Sequence, residues 1–236
     1  MERIIIIHVF LLILFFTESV KEVLVQENNM PVTIVKPKFD ARTLPAAIFI
    51  SGDGGWNKFE QEIADSLAGL GIPTIGLDTK KYFWNRRTPE ETASDIASSI
   101  NKNNRIWQRE SFLFIGYSLG AELVPFIANR LPEPVKTKIS MLVLLSPAPT
   151  TDFEVHFTDM LGINSRHDSY KVIEEISRIK TIPVLLIFGA EEKTKVPAML
   201  TGEPVKLITV PGDHTYNHDS SLIVEVMKTH NALSGK

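Results

Sequence analysis

From residue 46 onward, short apolar runs alternate with longer segments whose apolar positions recur every three or four residues. The runs are AAIFIS (46–51), PTIGLD (73–78), SFLFIGY (111–117), MLVLLS (141–146), PVLLIFG (183–189) and VKLITV (205–210). They carry few charges, which is the pattern of strands buried on both faces. Between them, FEQEIADSLAGLG (59–71) ends on Gly71 and PEETASDIASSINKN (89–103) opens at Pro89, and both have the spacing of amphipathic helices. Strands alternating with helices predict an α/β fold: a mainly parallel sheet flanked by helices. The stretch 147–182 departs from the rhythm and predicts a small insertion whose closing part is a helix. No repeat or linker divides residues 30–236, which read as a single domain.

Composition narrows the function more than the fold. The 236 residues carry a formal charge of -3 and a pI near 6.1, so a nucleic-acid partner has no basic surface to rest on. Cysteine is absent, which excludes disulfides, a thiol nucleophile and thiolate metal ligation. The first 20 residues place Arg3 before an apolar stretch, Ile4 to Phe16, followed by small polar residues that include Thr17 and Ser19. This is the layout of a secretory signal peptide, too short for a comfortable membrane span, and it predicts export to the periplasm, with an uncleaved anchor as the alternative.

The chemistry centres on FLFIGYSLGAELVP (112–125), where a buried-strand pattern stops at Gly-Tyr-Ser-Leu-Gly and a helix follows at once. In such an elbow the sharp turn lifts the serine hydroxyl above the sheet, and Gly116 and Gly120 let strand and helix backbones pass closely. Ser118 is therefore the candidate nucleophile. A serine hydroxyl attacks only when a base takes its proton and an acid orients that base, and in this layout the acid and then the histidine follow the serine in the chain. His214, on the loop after VKLITV, is the candidate base; His218 competes but reads as a polar group near the start of the last helix. The acid should follow PVLLIFG, where Glu191 and Glu192 stand side by side. Glu192 is the choice because a short turn after Gly189 needs some residues before a side chain can reach back, and Glu191 remains the alternative. For the oxyanion, Leu119 N–H supplies one donor and the glycine-rich loop of Asp53 and Gly54 the other. No metal or organic cofactor is called for by this chemistry.

Longer blocks carry a resemblance. SGDGGW (51–56), YFWNRRTPEETASDI (82–96), GYSLGAELVPFIANRLP (116–132), LLSPAPTTDFEVH (144–156) and PGDHTYNHD (211–219) resemble, in order, the VirJ/AcvB group of bacterial virulence-associated α/β-hydrolases. The resemblance implies an exported serine hydrolase with Ser118 as nucleophile and His214 as base. It also implies an aminoacylated phospholipid as partner: the ester of aminoacyl-phosphatidylglycerol, cleaved to free amino acid and phosphatidylglycerol. Two positions depart from the group: GAEEKTKVP is shorter and lacks its cysteine, and Asp213 stands where a glycine is usual. A substrate of this kind joins a cationic amine to a lipid, so Asp53 is the candidate amine partner and Trp56, Tyr82, Phe83 and Trp84 the candidate apolar edge. A general carboxylesterase or thioesterase would use the same chemistry, whereas a non-catalytic accessory factor of a secretion system would not need it.

Overall fold

The computed structural model describes residues 30–154, 170–194, 196–200 and 202–235. Segment 1–20, with its expected signal peptide or anchor, lies outside the described residues, as do His8, His156 and His167. The main sheet holds seven strands: β1 (Val32–Val35), β2 (Ala46–Ile50), β3 (Thr74–Leu77), β4 (Phe112–Tyr117), β5 (Ile139–Leu145), β8 (Val184–Gly189) and β9 (Val205–Val210). Their order is β1-β3-β2-β4-β5-β8-β9, and all neighbours pair in parallel except β1, which runs antiparallel to β3. The irregular stretch forms a separate antiparallel pair, β6 (Thr150–Thr151) with β7 (Tyr170–Lys171).

Helices join the strands in chain order: α1 (Lys58–Gly69), α2 (Thr79–Tyr82), α3 (Pro89–Trp107), α4 (Leu119–Arg130), α5 (Glu133–Lys136), α6 (Val172–Ser177), α7 (Val196–Met199) and α8 (Ser220–Thr229). The faces they cover follow from the two-residue period of a strand. Along β2, Ala46, Ile48 and Ile50 point into one core with residues of α3, α4 and α6, while Ala47 and Phe49 point into the other with α1 and α8. The central strands are therefore apolar at nearly every position, Thr74 of β3 and Ser140 of β5 being exceptions, whereas VKLITV, expected to be buried on both faces, forms the edge strand β9 and leaves Lys206, Leu207 and Thr209 exposed. The edge strand β1 was not foreseen: VTIV has four residues and stays half exposed, so neither length nor burial sets it apart from a loop.

Helix ends follow local chemistry. Thr88 accepts from Glu91 N while the Glu91 carboxylate accepts from Thr88 N, a capping box with Pro89 at the first helical position. At α1, Gly71 takes φ 84° just past the helix and returns its N–H to Ala68 O. Helix α4 continues through Pro125, which leaves Ala121 O without its helical donor.

The active-site end of the sheet is set by backbone proximity. A Cβ at Gly116 would collide with the backbone of Gly120, and one at Gly120 with the carbonyls of Ile50 and Ser51. Gly120→Ala is expected to destabilise the fold by roughly 3 kcal/mol, since backbone rather than a mobile side chain would have to move. At Gly69 a Cβ would meet open space, and Gly69→Ala is expected to stabilise by about 0.5–1 kcal/mol. Urea unfolding of both variants checks the pair; equal and small effects would show that α4 does not rest on β2 in this way.

Candidate active site

Chain order reverses between β2 and β4: β2 leads outward to β3, while β4 starts the run in the other direction. In open α/β sheets the crevice beyond the strand ends at this point is where ligands bind. Here the loop after β2 carries Gly52, Asp53, Gly54 and Gly55, and the turn after β4 carries Ser118. A Cβ placed on Gly52 would lie 3.5 Å from Ser118 Cβ, so loop and nucleophile are packed side by side.

Ser118 has φ 50° and ψ -117°, a strained conformation for a residue with a side chain. The sharp turn holds its hydroxyl clear of the sheet. Ser118 Oγ lies 3.0 Å from His214 Nε2, and His214 Nδ1 lies 3.1 Å from Glu192 Oε2. Glu192 is the nearer neighbour of the ring than its sequence alternative: Glu191 is exposed, with its N–H spent on Gly212 O. His218 is exposed and sits in a short 3₁₀ turn before α8. The structure thus brings together the three residues that the sequence pattern selected.

Buried polar groups hold Glu192, and a half-buried phenol holds His214. The Glu192 side chain is only 8% exposed. Its Oε1 accepts from Gly189 N at 2.6 Å and from Ser146 Oγ at 2.5 Å. Ser146 Oγ is also 2.5 Å from the hydroxyl of buried Tyr216, which donates to Ile187 O at 2.8 Å. Burial pushes the Glu192 carboxyl up, but donors from His214, Ser146 and Gly189 outweigh it and leave it below the usual range. The Tyr117 hydroxyl donates to His214 O at 3.3 Å, and burial raises that phenol to about 12. Asp213 does not face the ring as a free charge; its carboxylate accepts from Thr215 N and Thr215 Oγ.

The loop after β2 has its own brace. Buried Glu60 accepts from Gly52 N at 3.4 Å and from Asn57 N at 3.2 Å, so one carboxylate ties both ends of the loop. Glu60 was missed in the sequence, although the Asn-x-x-Glu spacing of a capping box, Asn57 to Glu60, could have pointed to it; Ser146 and Tyr216 carry no such signal. Gly55 N bonds back to Gly52 O, a tight turn that leaves Asp53 and Gly54 at its tip. Among the described residues, the N–H groups of Asp53, Gly54 and Leu119 have no protein acceptor, as an anion-binding pair requires.

The expected apolar edge is corrected in part. Tyr82 and Phe83 are core residues: Tyr82 Oη donates to Asp95 Oδ2 at 2.5 Å, and Phe83 packs edge-on against Phe153. The four-residue helix α2 turns them inward and leaves Trp84 outside, 60% exposed. Trp56 stands half buried over Phe49 and borders a groove with Trp84. No cluster of ligating side chains able to hold a metal ion occurs among the described residues.

Residues 45–232 match the family described as bacterial virulence protein (VirJ). The chain belongs to the VirJ family. Two curated relatives from Mycobacterium tuberculosis, the uncharacterized proteins MT2364 and Rv2307c, are each 27% identical to it over 192 residues. The match covers 71% of this chain but 62% of the relatives, so the VirJ-like chain spans less than two thirds of their length. Among solved structures, Est1E from Butyrivibrio proteoclasticus superposes with a TM-score of 0.61 at 17% identity, over 85% of this chain and 92% of its own. MenH from S. aureus gives 0.58 at 13% identity, over 85% and 98%. Proline iminopeptidase of Mycobacterium smegmatis gives 0.58 at 14%, over 85% and 94%. At these identities the likeness establishes an α/β-hydrolase fold and nothing finer.

The electrostatics of the relay make a pH prediction. The hydrogen bond to Glu192 raises His214 above its ordinary value of about 6.5; burial opposes this, and the charges of Glu192, Glu122 and Asp53 add to it. Nε2 can accept the serine proton only when the ring is neutral, so activity is expected to fall as pH drops through a midpoint above about 6.5. Glu192→Gln removes the charge that raises the ring, so the midpoint should move to lower pH while kcat falls by roughly a hundredfold to ten-thousandfold. A pH profile of kcat/KM for both proteins checks this. An unmoved midpoint would mean that the imidazole takes its acid from elsewhere.

Proposed function

We propose that this VirJ-family chain is a serine ester hydrolase that cleaves aminoacyl-phosphatidylglycerol to free amino acid and phosphatidylglycerol on the periplasmic side of the membrane. The observation that carries the hydrolase reading is the unbroken relay from Ser118 through His214 to Glu192 beside a loop of free N–H groups. In the first step Ser118 Oγ attacks the ester carbonyl as its proton passes to His214 Nε2. Glu192 stabilises the imidazolium that results, and the N–H groups of Leu119 and of Asp53 or Gly54 receive the oxyanion. Collapse expels the glycerol oxygen, which takes the proton from Nε2 and leaves an acyl-serine. A water then attacks that acyl group with His214 as base, releasing the amino acid and restoring the serine.

The substrate reading rests on the resemblance and on charge. An aminoacyl ester presents an ammonium beside its carbonyl, and the exposed Asp53 carboxylate belongs to the loop that faces the oxyanion. Export rests on the sequence of segment 1–20; no helix among the described residues is long and apolar enough to cross a membrane.

Ser118→Ala is expected to lose at least about a thousandfold in hydrolysis while keeping its unfolding midpoint, and to lose labelling by a fluorophosphonate. Full turnover in that variant would sink the hydrolase reading and leave the accessory factor. Asp53→Asn should lower kcat/KM for the aminoacyl lipid about ten- to a hundredfold, from the 1.5–3 kcal/mol typical of a charged hydrogen bond, and affect a neutral short-chain ester far less. Equal loss on both substrates would make Asp53 a structural residue. Rapid cleavage of the neutral ester with none of the lipid would replace this reading by a general esterase.

A further inference from the structure

Next to the loop of Asp53 and Gly54 lies a groove of about 610 Å³, bordered by Gly54, Trp56, Asp78, Lys80, Trp84 and Asn85. Its volume is that of a small-molecule site. Its cations differ in state. Lys81 Nζ is 2.8 Å from Asp78 Oδ2 and is largely neutralised there. Lys80 has no carboxylate partner among the described residues. Its stem rests on the catalytic loop: a Cβ at Gly55 would come within 3.1 Å of Lys80 Cβ. Two of its lining side chains are indoles, Trp56 and Trp84, the latter standing 60% exposed.

An unpaired lysine in a groove that two tryptophans also line fits an anion carried on an apolar stem, because indole tolerates the boundary between lipid and water and the ammonium supplies a charge-assisted bond. We propose that this groove is the leaving-group subsite and that Lys80 pairs with the phosphodiester of the departing glycerolipid. The assignment rests on the hydrolase reading for what the lipid does there. The glycerol expelled from Ser118 carries the ester at one end and the phosphodiester at the other, so a carbonyl held at the loop places the phosphate on one flank of it. Lysine suits the task because its ammonium is a point charge that accepts several phosphate orientations.

The test has a turnover arm and a binding arm. In the first, an aminoacyl ester of dihexanoyl-phosphatidylglycerol is compared with the same aminoacyl ester of plain glycerol. Lys80→Ala should lower kcat/KM for the phosphate-bearing ester roughly ten- to a hundredfold relative to the plain one, mostly through KM, and Lys80→Arg should restore most of it. An unchanged ratio would overturn the subsite. In the second arm, dihexanoyl-phosphatidylglycerol is titrated into Ser118→Ala while tryptophan fluorescence is recorded, with inorganic phosphate and glycerol 3-phosphate as competitors. Saturable binding that weakens at least tenfold when Lys80→Ala is added is the expected result. Phosphate binding as tightly as the lipid would make this a free-anion site and overturn the leaving-group assignment. If neither ester were cleaved but the lysine-dependent lipid binding remained, the hydrolase reading would fail and the anion subsite would stand.

Discussion

The contact on which the site depends is one of backbone against backbone, where the first turn of α4 at Gly120 rests on the carbonyls that end β2. Neither side can yield by rotating a side chain, so the distance between the nucleophile's turn and the glycine-rich loop is set by the sheet itself. Both parts hang from adjacent parallel strands, paired from Ala46 with Phe112 through Ile50 with Gly116. A ladder of that length fixes their register, and the crevice at the reversal of strand order opens where the serine and the loop meet.

Rigid placement of the strand ends would count for little if the loops were free to swing. Each of the three working loops is tied by a polar group that is buried or half buried. Glu60 lies under the loop after β2, Ser146 and Tyr216 under the turn that carries Glu192, and the Tyr117 hydroxyl holds the backbone of His214. Two of these arrangements bury a carboxylate, which burial alone would push toward its neutral form. At Glu192 the donors win and the charge survives, as a group facing a developing imidazolium needs. At Glu60 burial prevails and raises the carboxyl, which suits a brace that requires acceptor oxygens more than charge.

Legibility in the sequence followed the strength of the local constraint. The central strands were readable because burial on both faces leaves few polar positions, and the elbow because close approach forces glycine at Gly116 and Gly120. His214 and Glu192 were found by their place after β9 and β8, since strand ends are where such side chains must sit. The edge strand β1 was not readable, because four half-exposed residues carry no period. Tyr82 and Trp84 could not be told apart either: α2 is a single turn, too short to display a helical face, and only packing against Asp95 and Phe83 turns one ring in and leaves the other out. Ser146 and Tyr216 act through contacts between residues 70 positions apart, which no local pattern records.

The distribution of charge along one short loop adds a constraint on orientation. Asp53 belongs to the part of the loop whose charge reaches His214, while Gly54 and Gly55 belong to the part that borders Asp78 and Lys80. An ester whose acyl portion is cationic and whose alcohol portion is anionic meets complementary charge on both flanks when its carbonyl sits at the loop. Reversed, the same molecule would set ammonium against ammonium and phosphate against carboxylate, and like charges at close range oppose binding by several kcal/mol. A neutral ester feels neither attraction nor penalty. The arrangement therefore favours one direction of entry for a substrate charged in this sense, by placement of two side chains on neighbouring strand ends and without any change to the relay that performs the chemistry.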